Sequence, residues 1–283
     1  MKSIALNNGI CMPSLGFGVF RIESEACEGL VLEALNAGYR FIDTAAAYGN
    51  EQAVGRAIRR SGIAREELFI STKLWITDTS AARAKAGFER SMELLGLDYI
   101  DLYLIHQPYH DYYAAWDVLE SLYVQKKIRA LGVDNFSSER LADFLWFQKC
   151  WPQVNLVESN ILYQREADRA YMAQKRIQMA AWSPLARGGE VLQHPLLLHL
   201  AKKYGKTPAQ VVLRWLNQRG IPSLCNTSNP KRMRENLNIF DFQLSDQDMS
   251  EISKLDTGHS CFPTRDSAMD VEAFLKNAET LAK

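Results

Sequence analysis

Short apolar runs alternate with amphipathic stretches along nearly the whole chain, and this alternation limits the possible folds more than any other feature. The runs occupy residues 15–18, 39–43, 68–73, 99–106, 130–133, 154–158, 178–182 and 220–224. Stretches of helical period separate the early ones, at 26–37, 51–61, 81–95, 113–125 and 139–149. Strand, helix and strand in succession make a βαβ unit, which lays the strands parallel. About eight such units close a (β/α)8 barrel, and a doubly wound open sheet is the structural competitor built from the same parts. Helix punctuation agrees with the alternation. Ser137 and Thr207 stand where capping hydroxyls belong, Pro208 follows at a first helical position, and Gly38, Gly62 and Gly96 follow helical runs as C-terminal stops.

Ahead of the first unit, residues 4–6 and 10–12 flank Asn7-Asn8-Gly9, the chemistry of a tight hairpin turn. Behind the last, the stretch from Thr257 onward is less regular and is expected to fold over one barrel mouth. No linker, composition break or repeat divides residues 1–283, so one domain is expected, an α/β TIM barrel with an N-terminal β-hairpin and a C-terminal tail.

Composition narrows the function. With 47% hydrophobic and 23% charged residues the chain has the makings of a packed core and not of a disordered segment. Thirty-three basic residues balance thirty-three acidic ones, so no global field attracts a polyanion, and nucleic acid is not an expected partner. Charges or amides interrupt every hydrophobic stretch before it is long enough to cross a bilayer. Two Asn and a Gly break up the first nine residues where an export signal would need an apolar run, so a cytoplasmic protein without a membrane partner is expected. The five cysteines form no CxxC pair, which predicts free thiols, no disulfide and no structural metal.

In such a barrel the chemistry sits at the carboxyl ends of the strands. Asp43, Lys73 and His106 end consecutive apolar runs, Asn135 follows the fifth, Glu158 ends the sixth, and Trp182 and Ser183 end the seventh. Singly, each has an ordinary explanation as a helix cap, a solvated lysine or a turn histidine. Three on adjacent strand ends are harder to explain that way, because capping needs no lysine. Tyr48, just beyond Asp43, adds a phenol. A nearby ammonium lowers a phenol's pKa by stabilising the phenolate, Asp43 would hold Lys73 charged, and His106 would orient a carbonyl oxygen. That set of groups protonates an oxygen while something else adds to the carbon.

The residues that carry this chemistry sit in segments that closely resemble the aldo-keto reductases. The segments are 38–51, containing Asp43-Thr44-Ala45-Ala46-Ala47-Tyr48-Gly49-Asn50-Glu51, then 71–75, 98–106, 127–133, 181–185, 204–215 and 232–242. The likeness covers nearly the whole chain and is strongest to the bacterial diketogluconate-reductase and methylglyoxal-reductase branch. It implies a TIM barrel that uses NADPH without a Rossmann domain to reduce aldehydes and ketones. On that resemblance Tyr48 is the general acid, Lys73 and Asp43 tune its pKa, and His106 orients the substrate. The cofactor would be held by Gly18, Val19, Asn135, Trp182, Ser183, Leu185, Thr227, Arg232, Glu235 and Asn236. Phe20, Trp75 and Gln107 would line the substrate pocket. A small carbonyl substrate and a monomeric protein are expected.

The sequence departs from the family pattern in three places. Asp134 and Leu156 stand where the family carries a Ser and a Gln that hold the nicotinamide carboxamide. Leu156 has no polar group, and an ionised Asp134 only accepts. Asn226 stands where a lysine grips the 2′-phosphate, which predicts weakened NADPH preference and NADH as a second cofactor. Gln107 and Phe20 replace tryptophans, so the pocket is expected to favour small or polar carbonyls. Two other readings compete with the reductase. One is a catalytically weak nucleotide-binding or regulatory barrel, raised by these departures. The other is a glycosidase using Asp43 and Glu158 as its carboxylate pair, which leaves Lys73 and Tyr48 without a role.

Overall fold

The computed structural model describes residues 2–265 and 267–281. A hairpin of β1 (Ser3–Ala5) and β2 (Cys11–Pro13) turns through Gly9, whose φ is +85°. Then β3 (Leu15–Gly18), α1 (Ser24–Ala37), β4 (Phe41–Asp43), α2 (Glu51–Ser61), β5 (Phe69–Leu74) and α3 (Ala81–Leu95) alternate. The alternation continues through β6 (Leu102–Ile105), α4 (Tyr112–Val124), β7 (Leu131–Asp134), α5 (Ser138–Phe147), β8 (Val154–Glu158), α6 (Glu166–Gln174) and β9 (Gln178–Trp182). Helices α7 (Pro195–Tyr204) and α8 (Pro208–Gln218) precede β10 (Ser223–Cys225), which is followed by α9 (Pro230–Leu237), α10 (Asp246–Ser253) and α11 (Ala268–Leu281).

Strands β3 to β10 pair in parallel in the closed order β10-β3-β4-β5-β6-β7-β8-β9, so the open-sheet competitor is excluded. The predicted caps are in place. Ser137 and Thr207 accept from Arg140 N and Gln210 N, Thr207 in a full capping box, and Gly38, Gly62 and Gly96 take the left-handed conformation after α1, α2 and α3. Strands β4, β6 and β10 are shorter than their apolar runs. Ahead of β6 the carboxylate of Asp101 accepts from the Ile70 backbone and from Arg65, and Ile100 makes an isolated bridge to Ile128.

Period-two alternation sorts each strand. Inward-facing Phe41, Phe69, Leu102, Leu104, Ala130, Val154, Leu156, Ala180 and Leu224 form one buried cluster with Leu6 and Met12 of the hairpin, which stoppers the barrel at that end. At Gly16 a Cβ would lie 2.6 Å from the Phe41 ring and 2.7 Å from Leu224, so the interior leaves no room for a side chain on β3. Outward-facing Ile42, Ile70, Tyr103, Ile105, Val133 and Val157 belong to the cluster packed under the helices. Leu156 is therefore barrel packing.

The tail closes the opposite mouth. Trp75 Nε1 donates to Ala278 O at 3.1 Å, and Phe274 packs edge-on against Trp75 at 6.2 Å between centroids. Ser260 Oγ and Cys261 N both donate to Glu158, at 2.5 and 2.9 Å.

Candidate active site

The same parity that fills the barrel with apolar side chains aims its last inward positions at the mouth. Two residues beyond Phe41 is Asp43, four beyond Phe69 is Lys73, and two beyond Leu104 is His106. Two beyond Gly132, Leu156 and Ala180 are Asp134, Glu158 and Trp182. Polar groups carried on consecutive strands thus converge on one end of the barrel.

At its centre Lys73 is 1% exposed. Its ammonium has three donors and finds three acceptors: Asp43 Oδ2 at 2.7 Å, Thr44 O at 2.9 Å and Tyr48 Oη at 3.4 Å. Asp43 is fixed in turn by Ser71 Oγ, which donates to Oδ1 at 2.6 Å. Burial by itself lowers the Lys73 pKa, but the Asp43 carboxylate is the largest of the opposing interactions and the ammonium is held above the ordinary lysine value. Tyr48 reaches the cluster from a 3-10 turn, Ala46–Tyr48, and lies half-buried. Burial raises its phenol above the ordinary tyrosine value, and the opposing effect of Lys73 is smaller than that penalty. The expectation of a lowered pKa is thus met in the sign of the Lys73 interaction but not in the net result. Tyr48 keeps its proton throughout the neutral range.

His106 faces the same phenol, with ring centroids 5.6 Å apart and planes at 76°, and Trp75 stands against its other side at 4.9 Å. Burial, Lys73 and Arg265 all press its pKa well below the ordinary histidine value, so the imidazole is neutral and carries one N–H to donate. Asn135, in the left-handed region at φ +65°, donates to His106 O at 3.1 Å and accepts from Trp182 Nε1 at 3.1 Å. That residue therefore braces the histidine loop.

Asp134 is a buried carboxyl without a hydrogen-bond or ion-pair partner among the described residues. It is 2% exposed, its Oδ1 has no partner, and its Oδ2 lies 3.9 Å from His106 Nε2, beyond hydrogen-bond reach. No Lys or Arg among the described residues pairs with it. Burial lifts its pKa well above the usual carboxylate range, Asp43 adding to the rise while Lys73 and Arg265 oppose it. Burial thus favours the protonated form of this carboxyl, in which it can donate as well as accept.

Of the other predicted residues, Gly18 ends β3 and Val19 follows it, both buried, and Ser183 follows Trp182 at φ +49°. Leu185 is half-buried against two apolar clusters. Thr227 Oγ1 accepts from Asn229 N, and Asn229 caps α9, near whose N-terminus Arg232 is exposed. Glu235 is half-buried and Asn236 is 4% exposed. Asn226 Nδ2 donates across to Phe20 O at 2.5 Å. Phe20, 49% exposed, leans on Tyr48 with centroids 5.0 Å apart, while Gln107 is buried and accepts from Arg265 Nη1 at 2.6 Å.

Sequence reasoning missed the tail's share. Phe262 packs edge-on against Trp182 at 5.0 Å, and Phe274 lies against both Trp75 and Tyr109. Arg265 reaches Gln107, and nothing in the irregular pattern after Thr257 marks these residues. The glycosidase reading fails on the same contacts. Both oxygens of Asp43 are taken by Ser71 and Lys73, and Glu158 is tied to Ser260, Cys261 and Asn160.

A profile of the "Aldo/keto reductase family" matches residues 14–257. The chain is 44% identical over 256 residues to a 9,11-endoperoxide prostaglandin H2 reductase of Trypanosoma cruzi, covering 89% of this chain and 90% of that one. It is 43% identical over 270 residues to a glyoxal reductase of Bacillus subtilis, covering 94% and 97%. Among solved structures, an aldo-keto reductase of Bombyx mori in complex with NADP superposes with a TM-score of 0.88 at 31% identity, over 94% of this chain and 96% of that one.

Proposed function

Since the chain belongs to the aldo/keto reductase family of oxidoreductases, whose members use NADPH, we propose that it reduces small aldehydes and ketones to alcohols with Tyr48 as general acid. The observation that carries this reading is the buried relay from Asp43 through Lys73 to the Tyr48 phenol, with a neutral His106 facing that phenol.

The residues at the mouth suit a nicotinamide nucleotide. Asp134 Oδ1 and Ser159 Oγ, at or just beyond the carboxyl ends of β7 and β8, are buried polar atoms without partners, and a bound carboxamide would give such atoms theirs. Gly18, Val19, Asn135, Trp182, Ser183 and Leu185 would hold the nicotinamide half. Thr227, Arg232, Glu235 and Asn236 would hold the adenosine end, where the N-terminus of α9 and a guanidinium favour a phosphate. Asn226 brings no cation there, which supports use of NADH beside NADPH.

When bound, the reduced nicotinamide supplies the hydride that adds to the carbonyl carbon. Tyr48 gives its phenolic proton to the carbonyl oxygen, and the phenolate left behind is stabilised by the Lys73 ammonium. Asp43 keeps that ammonium charged and in place. His106 donates a hydrogen bond to the same oxygen and so fixes its approach to Tyr48. Because burial raises the phenol's pKa, the acid is fully loaded at neutral pH, and the developing alkoxide draws the proton across. Phe262, Phe274 and Tyr109 narrow the mouth, which supports small substrates of the glyoxal and methylglyoxal kind over bulky ones.

The test is NADPH oxidation by the purified protein with methylglyoxal. Tyr48→Phe is expected to cut turnover by about 10²- to 10⁴-fold while NADPH still quenches tryptophan fluorescence. Turnover unaffected by that change, or faster turnover of bulky aryl aldehydes than of methylglyoxal, would refute the reading.

A further inference from the structure

At the end of the barrel that the hairpin stoppers, far from the proton relay, lies a cavity of about 420 Å³ whose walls include Arg169, Arg176 and Arg219. One carboxylate serves these three guanidiniums. Glu166 accepts from Arg169 Nε and Nη2 at 3.1 and 2.9 Å, and its other oxygen contacts Arg219 Nη2. The Arg176 side chain is exposed and has no partner among the described residues. Arg219 stands behind the wall with its side chain 9% exposed, its Cζ 4.1 Å from the Trp215 ring centroid and its Nη1 without a partner. Burial lowers its pKa to about 10 against the opposing charge of Asp256, so the group stays charged at neutral pH although water is withdrawn from it. Asp256 and the carboxyl ends of α6 and α8 offset part of the positive charge, but no side chain neutralises the third guanidinium. The cavity wall is held in place by amides. Asn7 Nδ2 donates to Arg176 O at 3.0 Å, and Gln178 Nε2 donates to Gly220 O at 2.9 Å, which leaves the side-chain oxygen of each to accept from another donor.

We propose that this cavity is a second binding site, for a phosphate-bearing anion, with Arg176 as the free fork that grips the phosphate and the under-neutralised charge of Arg169 and Arg219 behind it. A guanidinium without a carboxylate partner matches two phosphate oxygens in a bidentate pair, and a dianion supplies the negative charge that a single glutamate does not. The volume falls within the roughly 300–1,000 Å³ of small-molecule sites. That leaves room beside the phosphate for an organic part whose hydroxyls donate to the Asn7 and Gln178 oxygens. Inorganic phosphate and a phosphate ester share this chemistry, and the experiment separates them. No residue of the relay takes part, so the site stands independently of the reductase reading.

The test is isothermal titration calorimetry with inorganic phosphate and with glycerol 3-phosphate, at constant ionic strength in chloride and with saturating NADPH present to fill the proposed cofactor site. Saturable binding is expected. Tighter binding of the ester supports the site as one for a phosphorylated small molecule, and binding of inorganic phosphate alone supports it as one for the free ion. Arg176→Gln, at an exposed and unpaired position, should weaken binding by about tenfold or more, the usual worth of a charge-assisted hydrogen bond. Ala173→Glu places a carboxylate on an exposed part of the wall and should abolish binding. Arg232→Gln, near the N-terminus of α9, should leave it unchanged. Absence of saturable binding of either anion to the wild type overturns the inference. So does binding that Arg176→Gln and Ala173→Glu leave unmoved, or that Arg232→Gln removes. The heat is read without turnover, so this result and the methylglyoxal assay fail or succeed separately.

Discussion

Replacing Lys73 by methionine separates what the buried ion pair does for the fold from what it does for chemistry. Methionine nearly matches the lysine stem, so packing is retained and the loss is electrostatic. Asp43 Oδ2 then loses the ammonium at 2.7 Å in a place where its side chain is only 6% exposed, keeping Ser71 Oγ on the other oxygen. Breaking a buried pair by removing one partner costs about 3–5 kcal/mol, because the other charge is left dehydrated. Changing both partners to neutral residues of similar shape is often nearly neutral. The double variant Lys73→Met with Asp43→Asn is therefore expected to recover about 2 kcal/mol or more of the loss in urea denaturation followed by tryptophan fluorescence. Turnover should not recover with it, since Tyr48 has lost its ammonium in both variants. A double variant as unstable as the sum of the two single changes would show that Lys73 and Asp43 are not coupled in the folded state, and a double variant that regains turnover would show that the ammonium is not what stabilises the phenolate.

Asp134 gives a pH signature of the opposite kind to an ordinary salt-bridged carboxylate. Its folded pKa lies above the unfolded value near 3.9, so the native state holds that proton more tightly. The stability it contributes is complete below about pH 4 and is lost as pH rises through the folded value. Asp134→Asn should therefore gain stability relative to wild type as thermal melts are moved from acid to alkaline buffer, and a constant difference between the two proteins would contradict this. At the other end of the proposed cofactor site, Asn226→Lys should raise the ratio of NADPH to NADH turnover by placing a cation after β10, and an unchanged ratio would mean that no phosphate lies there.

The barrel was legible because its signals are local and repeated. Each strand is a short apolar run, and each of α1, α2 and α3 ends on a glycine that supplies a left-handed residue. Asp43, Lys73, His106 and Tyr48 stood out as polar groups ending or following apolar runs. Asp134 was visible too, but only as a departure from a family pattern. The rise in its pKa depends on burial, which no residue type announces, although counting by twos from Gly132 would have aimed it into the barrel. The same holds for Tyr48, where the charge of Lys73 is readable from the sequence and the larger dehydration penalty is not. Arg265, Phe262 and Phe274 were out of reach for a different reason. Their contacts with Gln107, Trp182 and Trp75 span from about 80 to about 200 residues of chain and follow no periodicity.

The tail that supplies those contacts joins the barrel through an exposed stretch, Thr257, Gly258 and His259. The strands β4, β5 and β6, which aim Asp43, Lys73 and His106, are paired with one another. The relay of Asp43, Lys73 and Tyr48 is thus held by barrel residues, while the tail borders it from outside. On the proposed function, substitutions after residue 259 are expected to retune which molecules enter while the barrel ladder stays as it is, and those that remove the Arg265 charge are expected to reach His106 as well.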